Sequence, residues 1–137
     1  MIIHAKKIHL LLGLAGFLIF LFSGQYMRHF MPEMHLDGHD RLRFSTRGSH
    51  IYILMSALLN LSLGSYLRVS AARWRAALQA IGSVLIIAAT VLLVAAFFYE
   101  SKDSPERPVT LSAMIAGLAG TSLHLLSSIK DKSSSLP

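Results

Sequence analysis

Charged side chains are absent from four long stretches of the chain: residues 8–27, 48–67, 76–99 and 108–129. Each holds at least 20 residues, and about 20 apolar residues in helical form cross the roughly 30 Å of bilayer hydrocarbon. A charge at the bilayer centre costs several kcal/mol, so four clean gaps of this length point to four membrane spans. In lipid every backbone N–H and C=O must be paired within the segment, which leaves helices as the way to cross. The expected fold is therefore all-α: an integral membrane four-helix bundle running up-down-up-down. A single transmembrane domain over residues 1–137 would carry spans near 8–27, 49–67, 76–99 and 108–127, with an outer loop at 28–48.

The punctuation agrees. Pro32, Pro105 and Pro108 fall in connections or at a helix start, where they break no helix. Tyr26, Tyr52, Tyr66, Trp74 and Tyr99 all lie near run ends, as interfacial aromatic belts do. The composition, 53% hydrophobic and 15% charged, is more apolar than soluble domains, in which about 25% of residues are charged. The first run follows Lys6 and Lys7 but is too long for a signal-peptide core and has no A-x-A-like cleavage site, so it is expected to stay as a span. With no cysteine, disulfides, thiol redox chemistry, iron–sulfur clusters and thiolate zinc sites are excluded. The net charge of +6 sits on residues flanking the spans. That placement suits anionic lipid head groups and gives no patch for nucleic acid.

An even number of spans puts both termini on one side. If that side is cytoplasmic, it gathers Lys6, Lys7, Arg68, Arg73, Arg75, Lys130 and Lys132, against Arg28, Arg41, Arg43, Arg47, Lys102 and Arg107 outside. The bias is narrow; the short 68–75 connection, with three arginines and no acid, tips the expectation to cytoplasmic termini in a bacterial inner membrane.

Seven histidines in such a chain invite a functional reading. His9 opens the first span and His124 closes the fourth, and their surroundings mirror each other. His9, Gly13 and Gly16 form H-x3-G-x2-G; Gly117, Gly120 and His124 form G-x2-G-x3-H. Offsets of three, four and seven share one helix face. Two imidazoles from different helices are the usual axial ligands of a buried haem b, and glycines leave room for a flat macrocycle. The competing reading is close helix packing through small residues. His50, Ala57, Asn60 and Gly64 form a further stripe, and Gln79, Ser83, Ile86 and Thr90 another. Asn60, Gln25 and Gln79 are amides in apolar runs and require hydrogen-bond partners inside the bundle.

The 28–48 segment offers a second site. His29, Met31, Met34, His35 and His39 crowd together, with His50 returning to the same face. Thioether with imidazole favours copper, and imidazole with carboxylate suits copper or zinc. The competing reading is an amphipathic interfacial loop with Phe30, Met31 and Met34 in the lipid.

No zinc-protease, P-loop, nucleophile-elbow or dinucleotide motif is present, no carboxylate lies within a run, and no soluble segment is large enough to house catalysis alone. Through Ser23-Gly24-Gln25-Tyr26-Met27, Ser49-His50-Ile51-Tyr52 and Leu58-Leu59-Asn60-Leu61 the chain resembles small uncharacterised four-span bacterial inner-membrane proteins. That resemblance implies a fold and a location, and no activity. Three roles stay open: a haem-binding electron-transfer protein, a His/Met-loop metal binder, and a cofactor-free accessory subunit. The last would pack on a membrane partner, or on a second copy, through its glycine stripes.

Overall fold

The computed structural model describes residues 2–31, 38, 40–100 and 106–129, with side chains from Ala5 onward. It is built of four helices: α1 (Ile2–Phe30), α2 (Asp40–Tyr66), α3 (Arg73–Tyr99) and α4 (Pro108–Ser128). Among the described residues there is no strand. Helices α1, α3 and α4 are long and apolar enough to cross a membrane, with mean hydropathies of 1.8, 2.7 and 1.6 over their best windows. Helix α2 is not among them: Arg41, Arg43 and Arg47 take up its first turns, and Ser49, His50, Ser56, Asn60 and Ser62 lower the hydropathy of the rest.

The ends follow from local chemistry. Helix α1 stops beside Pro32, whose ring disfavours helical backbone in the residue before it. Helix α2 starts on Asp40, an acid placed favourably on the positive end of the helix dipole. Helix α4 begins with Pro108 in its first turn, where a missing N–H costs nothing.

One boundary departs from the sequence reading. The segment expected as an outer loop at 28–48 is helical over 28–30 and again over 40–48. Absence of charge marks where a helix can meet hydrocarbon; it does not mark where the helix ends. Residues 40–47 contain no glycine or proline, so α2 continues outward as a charged helical extension.

The interior carries polar side chains among apolar ones such as Ile53, Ala57 and Ile86. Buried positions include His9, Ser23, Thr46, Ser49, Ser56, Asn60, Gln79, Ser83 and Thr90. The outward faces show Leu11, Phe22, Met55, Val84 and Leu118, each more than half exposed. Apolar patches of this extent are stable against lipid, where polar groups turn inward to bond one another.

Two close helix pairs make the frame. In α1–α2, a Cβ on Gly13 would stand 2.7 Å from the backbone nitrogen of Leu61, and one on Gly64 would stand 2.7 Å from that of Leu10. In α3–α4, a Cβ on Gly82 would meet the Gly120 carbonyl at 2.8 Å, and one on Gly120 the Gly82 carbonyl at 2.7 Å. Contacts descend along one helix as they ascend along the other in both pairs, so the partners are antiparallel. Helix α3 also rests on α2 and, less extensively, on α1; α1 and α4 share no comparable interface.

Candidate functional site

At the centre of the bundle is a chain of side chains from three helices. His9 Nδ1 lies 2.7 Å from Asn60 Oδ1. Asn60 Nδ2 donates to the Ser56 carbonyl at 2.9 Å and to Thr90 Oγ1 at 2.8 Å. Thr90 Oγ1 donates onward to the Ile86 carbonyl at 2.9 Å. His9 and Asn60 are fully buried and Thr90 is 3% exposed.

This chain settles proton positions. A backbone carbonyl can only accept, so the Asn60 atom facing Ser56 must be the NH2 group. Its Oδ1 therefore faces His9, and His9 Nδ1 carries the hydrogen. In the neutral ring Nε2 is then a bare lone pair, and this atom is buried with no hydrogen-bond partner.

His9 lines a cavity of about 340 Å3 between the start of α1, the start of α3 and the connection between α2 and α3. Gln79 and Ser83 are its other polar lining residues. Gln79 is held at both ends of its amide: its Oε1 accepts from the Ser70 amide and its Nε2 donates to the Arg68 carbonyl, both at 3.0 Å. Ser83 Oγ lies 3.2 Å from His124 Nε2. Ser83 and Gly82 of α3 lie beside the His124 ring.

A second, more apolar groove of about 360 Å3 runs between α2 and α4 over a floor of Ile86, Ala89 and Leu93. Its aliphatic hydroxyls, on Ser56, Thr90 and Thr121, all donate to carbonyls of their own helices, and Tyr52 adds a phenol to the wall.

The expected site residues are distributed as follows. Gly13 and Gly16 face Leu61 and Ala57 of α2; Gly117 and Gly120 face Ala89, Gly82 and Ile86 of α3. The mirrored stripes thus meet α2 and α3 and do not face each other. Within the chain these glycines serve contacts between neighbouring helices. Of the loop ligands, Met34, His35 and His39 lie outside the described residues. His29 is exposed on the last turn of α1, and Met31 follows it half-buried. His50 turns inward: its Nδ1 is 2.9 Å from Ser23 Oγ and its ring stacks on Phe20 at 4.1 Å. Among the described residues, no three His, Cys, Asp or Glu side chains converge as metal ligands.

A second polar cluster was not expected from the sequence. Glu100, just beyond α3, is an ion-pair partner of Arg107 at 3.3 Å, with side chains 6% and 15% exposed respectively. Its carboxylate accepts from the Val109 amide at 2.8 Å, the Thr110 amide at 3.3 Å and the Thr110 hydroxyl. It thereby caps the amino end of α4, whose first amides have no helical partner. Arg107 donates across to Ser49 Oγ at 2.5 Å and to the Ser45 carbonyl at 3.2 Å, pinning the α3–α4 pair to α2. Burial pushes the Glu100 carboxyl up, but the Thr110 hydroxyl, the two amides and Arg107 together outweigh it and hold the group below its ordinary range. The available signal was an acid and a base bracketing one connection, with proline at the next helix start.

No protein-family model, curated protein or solved structure matches the chain.

Proposed function

We propose that this is a four-span membrane protein whose task is to bind a small lipid-soluble molecule at the His9 cavity, with His9 Nε2 as the recognising atom. One observation carries the reading: a fully buried imidazole whose Nδ1 is anchored and whose Nε2 has no partner, on a cavity large enough for a ligand. A buried acceptor left unmatched costs about 1–3 kcal/mol, so a position of this kind is retained most readily where a ligand supplies the match. The bilayer is the solvent, a bacterial inner membrane is the setting, and Arg68 on the α2–α3 connection with Arg73 and Arg75 in the first turn of α3 favours cytoplasmic termini.

The test is extraction. Wild-type protein and Ala80→Phe, which fills the cavity from α3, are purified in parallel and their organic extracts compared by mass spectrometry. A small molecule stoichiometric with wild type and absent from Ala80→Phe is the expected result. Identical extracts from both proteins would contradict the reading.

A haem b is the second reading, because the same anchored ring with a free Nε2 is what an axial ligand offers. His124 would supply the other nitrogen by releasing Ser83, and the macrocycle would displace α2 or α3 from the glycines. A Soret band lost in His9→Ala would support it; a flat spectrum after expression with ample haem would not.

A further inference from the structure

The hydrogen positions at the cavity specify more than its location. Gln79 has both ends of its amide engaged, and Ser83 has one contact, to His124. The unmatched group beside the cavity is an acceptor, the His9 Nε2 lone pair. The rest of the wall is aliphatic, with Ala5, Ile8, Leu67 and Val84 among its members. Ile8 is 46% and Val84 65% exposed on the outer surface, so the cavity communicates with the lipid and not only with water.

We propose that the ligand is a hydroxyl-headed, lipid-soluble molecule of the phenol or quinol class, bound with its O–H donating to His9 Nε2. This rests on the reading of the cavity as a binding site and adds the chemistry of the occupant. A molecule with acceptors alone, such as the quinone of the same skeleton or a methyl ether, presents oxygen lone pairs to the Nε2 lone pair and forfeits that bond. A phenolic O–H is a better donor than an aliphatic one. A benzene-sized ring fits an apolar cavity of about 150 Å3, so about 340 Å3 admits the ring and the first carbons of a tail. The cavity lies between α1 and α3, which touch only lightly, so a flat head group can slide between them from the lipid side.

The experiment uses the full chain in phosphatidylcholine nanodiscs, with 4-heptylphenol and 4-heptylanisole as probes. The two share size and apolarity and differ in one hydrogen-bond donor. Binding is read by retention over empty nanodiscs and by the 15N resonance of His9 Nε2. The expected result is saturable phenol binding about tenfold tighter than the anisole, the equivalent of one neutral hydrogen bond, with a phenol-induced shift of Nε2. In His9→Phe the preference disappears. The comparison within wild type needs no variant to fold. Equal retention of both probes, blocked for both by Ala80→Phe, would overturn the hydroxyl assignment and leave the binding site standing. Retention of neither above empty nanodiscs would overturn both, leaving Nε2 to water.

Discussion

Removing Asn60 is the perturbation that most exposes the logic of the interior. Its side chain makes two bonds to other helices, to His9 and to Thr90, and one within α2, to the Ser56 carbonyl. Side-chain hydrogen bonds between membrane helices are worth about 0.6 kcal/mol on average and up to about 1.7 kcal/mol. Loss of both interhelical bonds in Asn60→Ala is therefore expected to cost about 1–3 kcal/mol. The His9–Asn60 share is isolated by a double-mutant cycle with His9→Ala, for which a coupling of about 0.6–1.7 kcal/mol is expected. Unfolding in mixed micelles is followed through Trp74, the one tryptophan in the chain. Additive effects, with a coupling below about 0.3 kcal/mol, lie within the usual scatter for independent sites. That outcome would refute the claim that Asn60 anchors the imidazole.

Further outcomes follow from the geometry. Gly82→Ala places a methyl 2.8 Å from the Gly120 carbonyl and should destabilise by about 1–3 kcal/mol by forcing α3 from α4; Gly48→Ala, with nothing within 4 Å, should stabilise α2 by about 0.5–1 kcal/mol, both measured in the same unfolding assay. Glu100→Gln leaves Arg107 without its buried counter-ion and should cost roughly 3 kcal/mol, the low end of the range because Arg107 keeps some exposure. Glu100 is held below its ordinary value of 4.5, so its contribution is complete above that pH and is lost as pH falls through the lower folded value; wild type should weaken below about pH 4.5 through a transition that Glu100→Gln lacks.

The four helices were legible because lipid imposes one rule, the exclusion of charge, and the gaps at 8–27, 48–67, 76–99 and 108–129 obey it. The extension of α2 to Asp40 was not, since a charged helix and a charged loop look alike in hydropathy. The interior polar residues were legible one helix at a time: Asn60 demanded a partner, and Ser83 and Thr90 shared a face. Which stripe meets which was hidden. Glycine permits close approach to any neighbour, so the matching motifs around His9 and His124 suggested that α1 meets α4, whereas each packs on the helix next to it in sequence. The pairing of His9 with Asn60 and of His50 with Ser23 depends on axial register, which composition and spacing do not encode.

The most direct measurement is the 15N spectrum of the protein labelled at histidine, in bilayers near neutral pH, with His9 assigned by its loss in His9→Phe. The account predicts a ring protonated at Nδ1 and bare at Nε2, with Asn60→Leu releasing that preference. A His9 ring protonated at Nε2 in the wild-type protein would contradict it, because the acceptor on which the binding site is founded would then be a donor.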